Sequence, residues 1–372
     1  MNDDNTVTAS TYPWVVHYEN SEGELVDIDN TMESSEDSEL GEVLENKDNS
    51  IEIKFSKKAK EKNMVKLTYE GHKISWGMVS VNKNKNVKDQ TQRRFNLTND
   101  PQYLNNISST VTYGEIHPNV DLYYDVIGMS LKERIVLKSA EAERNFTFQF
   151  STKDLTMSKD EDRILFRSLD GTEVFCMDPL MMYDALGNES PAIDITLECT
   201  KDNQNNHEYL LTITPSDQWL DNPERVFPVT IDPSIQTTQN PSSVMDTYIS
   251  SGSPNYSSYY NWGWFKVGTN GSTVNKALIY FHLPEAIKFS DRVIHAELHA
   301  APYLGENSSL FTQLESSKGA PIMEAHEITS TWSDTTVSWN HCPTINTEIL
   351  DYDFPCTKDG ANANNRWYTW DL

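Results

Sequence analysis

No stretch of the sequence reaches the run of about eighteen apolar residues that a membrane-crossing helix needs, so membrane insertion by that route is not expected. The opening Met1-Asn2-Asp3-Asp4 is acidic and lacks the basic and apolar regions of an export signal, so none is read in the sequence as given. Cysteine is scarce: Cys176, Cys199, Cys342 and Cys356 have no zinc or redox spacing, and four thiols in 372 residues do not make a disulfide scaffold. They are expected to be free and partly buried. Positive charge is also short, with 30 Lys+Arg against 56 Asp+Glu and a net charge of -26. That balance repels phosphate backbones and anionic lipid, so neither nucleic acid nor an acidic membrane is expected as a partner.

Several catalytic signatures are missing as well. There is no G-x-S-x-G nucleophile elbow, no glycine-rich phosphate loop and no paired C-x-x-C. His326-Glu327 begins like a zinc-protease helix, but Ser330 stands where the second histidine belongs. No cofactor is expected.

What the sequence does contain is alternation with period two. Ile51, Ile53 and Phe55 alternate with polar neighbours, as do Val65, Leu67 and Tyr69, then Val120, Leu122, Tyr124 and Val126. Phe146, Phe148 and Phe150 continue the pattern, followed by Ile193 to Cys199 and by Tyr209, Leu211 and Ile213. Each segment reads as a strand with one buried face, and helical periodicity is almost absent, so the fold is expected to be all-β and mainly antiparallel. Trp14, Val16 and Tyr18, the turn Asn20-Ser21-Glu22-Gly23, and Leu25, Val26 and Ile28 read as a hairpin. The acidic, serine-rich run from Glu33 to Ser50 is expected to be a solvated loop. Pro215 to Leu220 is the exception to the β pattern, where Ser216 or Asp217 would cap one helical turn.

The stretch from Arg225 to Pro233 is expected to be the last strand of one domain and the hinge into the next, with Pro228 and Pro233 marking an edge and an end. The polar run Ser234 to Ser243 looks too poor in apolar residues to join a core. A length prior of about 150 residues per domain allows two or three domains. The expected division is a frayed start over residues 1-11, a β-rich domain over 12-235 and a second β-sandwich over 236-372. Strands in the second are read at Val244 to Ile249, Trp264 to Gly268, Ala277 to Pro284 and Val293 to Ala301.

The order of Val226 to Pro233, Asp246-Thr247-Tyr248-Ile249, Pro254-Asn255-Tyr256, Ala277 to Phe281 and Thr336-Val337-Ser338-Trp339-Asn340 resembles the DNRLRE domain of bacterial surface proteins. The upstream Val16 to Asn20, Asp121 to Tyr124 and Leu131-Lys132-Glu133 resemble the segment that precedes this domain in wall-associated and RHS-repeat proteins of Gram-positive bacteria. The resemblance implies two tandem β-sandwiches, the second a jelly roll similar to carbohydrate-binding modules. It also implies a secreted, cell-wall or cell-surface location, and a second sandwich truncated at Trp370-Asp371-Leu372, since similar domains continue through further strands.

The aromatic cluster Tyr256, Tyr259, Tyr260, Trp262 and Trp264 is the ligand-binding candidate, because flat amphipathic rings suit sugar faces. The alternative is that these rings are core or loop anchors, as the aromatic richness of sandwich cores favours. Trp332 and Trp339 look structural. His295, Glu297 and His299 would point outward from a strand whose buried face is Ile294, Ala296, Leu298 and Ala300, leaving a three-ligand surface metal site as the alternative. Asp246 and Asp371 are expected at solvated strand ends, with structural calcium as the alternative. No catalytic residue and no metal site is assigned.

The reading is therefore a non-enzymatic surface module that attaches to a polysaccharide or cell-wall glycan, joined to downstream domains of the same parent chain. The alternative is a purely structural spacer or shell presenting a downstream toxin or repeat region. A third reading is a polysaccharide-active enzyme.

Overall fold

The computed structural model describes residues 9–12, 14–90, 106–186, 188–203, 206–237, 244–256, 265–270, 272–282, 292–300, 323–353 and 368–372. They form an all-β protein of antiparallel sheets, broken among the described residues only by the helical turn Asp217–Leu220 and the 3-10 turn Trp339–His341. The chain divides into two compact units, Trp14–Pro241 and Ser242–Leu372 with Met1–Pro13.

The large unit has two principal sheets. One runs in the order Ile193–Asn203, Asn206–Pro215, Phe146–Lys153, His72–Met78, Val65–Tyr69, Glu52–Ser56, Gly41–Asp48 and Asp29–Asp37. The other runs Leu155–Asp160, Arg163–Ser168, Glu173–Met177, Ser234–Thr237, Ser130–Leu137, Val120–Ile127, Ser108–His117 and Val87–Gln90. Val229–Asp232 joins this second sheet by pairing with both Ser130–Leu137 and Met181–Tyr183.

Alternation sets the core. On one sheet Phe148 lies opposite Leu211 and Met78, and Phe150 opposite Tyr209 and Trp76. On the other, Leu122, Tyr124 and Val126 turn inward with Leu131 and Ile135. The two inner faces share one apolar cluster. Trp76 stacks on Phe150 with ring centres 5.4 Å apart and meets Tyr124 edge-on at 6.4 Å. Phe150 also touches Phe166 at 6.0 Å. Each such fully buried ring contributes roughly 1.5–3 kcal/mol by leaving water, and aromatic pairing adds about 0.5–1.5 kcal/mol.

The acidic run expected to be a loop is instead the hairpin Asp29–Asp37 and Gly41–Asp48 at the edge of the first sheet. Its inward positions Met32 and Leu44 are buried and hold it to the core. Its acids find partners across the sheet: Asp37 lies 2.9 Å from Lys66, and Glu45 lies 3.1 Å from Lys54. Burial opposes the Lys54 charge, but Glu52 and Glu45 override it and the ammonium is pushed up to about 12. Ion pairing thus offsets the hydrophilicity that suggested a loop.

A buried asparagine cluster ties this hairpin to the other sheet. Asn30 donates from Nδ2 to the carbonyls of Ile107 (2.9 Å) and Gly128 (3.0 Å). Its Oδ1 accepts from Asn46 (3.2 Å) and Asn49 (2.9 Å). Gly128, with φ of 52°, is where the chain at Val15 passes closest: a Cβ there would lie 2.7 Å from the Val15 carbonyl. Only glycine fits that approach without displacement.

The polar run after the hinge also departs from expectation. Ser234–Thr237 is a strand within the second sheet, paired with Ser130–Leu137 and Glu173–Met177, because Ile235 and Thr237 alternate inward and are buried. Pro228 precedes the strand Val229–Asp232, which has neighbours on both sides and is therefore not an edge. The hairpin His17–Glu19 with Leu25–Asp27 forms as expected, its turn closed by Asn20 Oδ1 accepting from the N–H groups of Glu22 and Glu24.

The second unit is described in pieces. Val244–Ser250, Thr273–Phe281 and Gly268–Asn270 form a three-stranded sheet. Glu297–Ala300 pairs with Tyr368–Asp371, and Met323–Ile328 with Ile345–Asp353. Ile249, Leu278 and Val337 form a small buried cluster, against which Trp332, Trp339, Ile328 and Cys342 pack. Ile294 does not join a buried face: it is 71% exposed and precedes the strand, which begins only at Glu297.

Candidate functional site

Of the five aromatic residues in the ligand candidate, Tyr256 is described, whereas Tyr259, Tyr260, Trp262 and Trp264 lie outside the described residues. Tyr256 is half-buried and lies in the loop that follows the strand Val244–Ser250. Its N–H donates to the Ser253 carbonyl at 3.1 Å. The loop is anchored to the turn at Trp339–His341: Asn340 donates from its backbone N–H to the Pro254 carbonyl (2.9 Å) and from Nδ2 to Asn255 Oδ1 (2.7 Å).

Two lysines cover rings beside this loop. Lys276 Nζ stands 5.2 Å from the Trp339 ring centre and Lys266 Nζ 5.9 Å from that of Tyr248. Both distances are within cation–π range, and Tyr248 is itself buried. These two rings anchor the second unit.

Sequence reasoning missed the setting of Asp246. It lies inside the strand opposite Ile279, not at a solvated end. Burial pushes its carboxyl up, and the nearby Asp334 adds to the effect. Asp371 is elsewhere: its N–H donates to Asp351 Oδ2 at 2.8 Å, and its carboxylate lies 3.8 Å from His295. The two acids weighed as calcium ligands therefore occupy different surroundings.

The histidines also resolve into local contacts. His299 Nε2 lies 3.0 Å from Glu297, and His295 Nε2 lies 3.3 Å from the same carboxylate. His326 Nδ1 lies 3.0 Å from the carbonyls of Asn346 and Glu348, and its Nε2 lies 3.2 Å from Glu324. No group of three or more His, Cys, Asp or Glu residues converges in a metal-holding arrangement among the described residues. Cys176 is buried, Cys199 exposed and Cys342 intermediate, all three with free thiols; Cys356 lies outside the described residues. No described helix is long and apolar enough to cross a membrane.

No protein-family model matches the chain. Similarity to individual proteins is informative. The tRNA(Glu)-specific nuclease WapA of Bacillus subtilis subsp. natto is 29% identical over 211 residues, 55% of this chain and 8% of that protein. The tRNA3(Ser)-specific nuclease WapA of Bacillus spizizenii is also 29% identical over 211 residues, with the same 55% and 8% shares. The tRNA nuclease WapA of Bacillus subtilis strain 168 is 34% identical over 155 residues, 40% of this chain and 6% of that protein. The matched portion thus spans less than a tenth of each relative's length.

These names overturn three expectations. A non-enzymatic glycan-attachment role, the absence of enzymatic activity and the exclusion of nucleic acid all conflict with relatives named as tRNA nucleases. A net charge of -26 counts these 372 residues alone, and it does not govern what the remaining nine-tenths or more of each relative binds. The resemblance to wall-associated, RHS-type proteins fares differently, for over about half its length this all-β chain is similar to the WapA proteins.

Proposed function

We propose that the chain is a β-structured portion of a WapA-type tRNA nuclease of the bacterial cell wall or surface, in which it forms a rigid frame carrying the rest of the protein. The observation that carries this reading is its similarity to three nucleases of that name. In this reading tRNA is the substrate of the whole protein. The frame comprises a β-rich domain, Trp14–Pro241, which takes in the strand Ser234–Thr237 beyond the boundary of 12-235 read from the sequence, and a DNRLRE-type jelly-roll module in the residues after it.

The aromatic core of the large unit supports the frame role. Two sheets sharing one apolar cluster, pinned by a buried asparagine network, resist deformation better than a loop-rich spacer would.

The test uses the intact protein that carries this chain, incubated with a pool of tRNA. Cleavage of a defined tRNA supports the reading, and an untouched pool in the presence of folded protein overturns it. The frame role is tested with Asn30→Ala. Less surface-displayed protein with unchanged cleavage by the released nuclease is expected, whereas unchanged display by a destabilised variant would overturn the frame role.

A further inference from the structure

The core of the large unit contains an acid. Glu133 lies in the strand Ser130–Leu137, where Leu131 and Ile135 face inward, and it shares their face. It is 3% exposed and sits directly across from Tyr124 in the neighbouring strand. Tyr124 in turn meets Trp76 of the opposite sheet, so the carboxyl is enclosed by the central aromatic group. Glu133 Oε1, Tyr124 OH and Trp76 Nε1 are all buried, and none of the three completes a hydrogen bond.

Among the described residues no cation pairs with this carboxyl. The flanking Lys132 and Arg134 point to the other face, where they pair with Asp232 (2.5 Å) and Asp125 (2.9 Å). The titratable groups around Glu133 are Tyr124 from its own sheet, Tyr113 beyond it, and Asp232 of the strand Val229–Asp232. None can supply positive charge. Tyr113 is already committed, donating to the Ser56 carbonyl at 2.6 Å. The sheet across the core presents Trp76, Phe55 and Phe150, which carry no charge.

We propose that Glu133 is held as a neutral carboxylic acid in the native fold and makes the large unit a pH-sensitive structure that opens more readily as the medium becomes alkaline. An ionised carboxylate at this position would lack both water and a counter-ion, an arrangement that proteins avoid by keeping the proton. Burial pushes the carboxyl well above its ordinary range and the negative charge of Asp232 adds to this, while the polar hydrogens of Tyr124 and Trp76 nearby pull the other way without reversing it. For a group raised on folding, the contribution to stability is complete below the unfolded value of about 4.3 and is lost as pH rises through the folded value.

The test compares the native protein with Glu133→Gln and Glu133→Leu. The Gln variant retains the shape without the proton, and the Leu variant fills the site with an apolar group. Amide exchange in the strands Val120–Ile127 and Ser130–Leu137 is measured from about pH 5 to about pH 8, and opening constants are compared at equal pH so that all other titrations cancel. The ratio of opening constants, native over variant, is expected to rise with pH by up to about tenfold per unit. A ratio independent of pH would overturn the proposal. If neither variant folds, infrared spectroscopy of the native protein at about pH 8 decides: a protonated-carboxyl band that disappears on unfolding supports it, and no such band overturns it.

Discussion

Arg225 Nη1 lies 2.7 Å from Asp184 Oδ2, with both side chains almost completely buried, while the guanidinium sits 3.4 Å above the Trp219 ring. Asp184 also accepts from the N–H groups of Leu186 and Asn188, each at 2.9 Å, so one carboxylate holds a turn and the approach to the hinge together. Removing one partner leaves a buried charge uncompensated. Asp184→Ala is expected to cost about 3–5 kcal/mol in equilibrium unfolding. Arg225→Lys is expected to destabilise as well, since an ammonium cannot reproduce the planar stack and the fork together. Unfolding curves that overlay the native one for both variants would refute this account.

The asparagine cluster gives a second expectation. Asn30→Ala removes two donated and two accepted bonds from a buried network, at a cost on the order of 2 kcal/mol. Gly128→Ala should also destabilise, because its Cβ would meet the Val15 carbonyl. Hydrogen exchange distinguishes the two: loss of protection should begin near Asp29–Asp37 for the first and near residues 14–16 for the second.

Acid should loosen the edge hairpin. Burial opposes ionisation of Asp37, but the Lys66 ammonium and the backbone N–H groups of Glu39 and Leu40 override it and hold the carboxyl well below the ordinary range. For a depressed acid the stability is present above its unfolded value of about 3.9 and is lost as pH falls through the folded value. Lys66→Met should therefore weaken the hairpin at neutral pH and flatten its response to acid. An acid response of equal steepness in both proteins would count against the pair.

The thiols should react in a fixed order. Exposed Cys199 is expected to be labelled rapidly by an alkylating reagent in the native protein, whereas Cys176 is buried and burial pushes its thiol up. Peptide mapping after timed labelling checks this. Modification of Cys176 at the rate of Cys199 would contradict its place in the sheet.

Much of the large unit was legible because its strands bury one face only. Ile53, Leu67, Leu122 and Phe148 stand at alternating positions, and each lies in a strand with its side chain in the core. The edge hairpin was hidden because its outward positions are acidic and two of its buried positions are asparagines: Asn30, whose partners Ile107 and Gly128 are distant in sequence, and Asn46, which bonds the following strand. Ile235 was overlooked because it is the sole large apolar residue in its strand. Ile294 erred the other way: alternation continued past the point where strand pairing stops. Glu133 illustrates what the pattern contains without announcing. Its spacing from Leu131 and Ile135 already placed it inward, but a charged residue type argued against taking that position at face value.

The acidic hairpin at the edge of the eight-stranded sheet has a consequence for how molecules of this protein meet. Among the described residues the strand Asp29–Asp37 has a paired strand on one side only, and a second copy arriving at its outer side would align Glu33, Glu36 and their neighbours against an identical row. Like charges across a new strand pair oppose its formation. Crowded together, the molecules are kept from growing into a continuous sheet by the same residues that made this segment look like a loop.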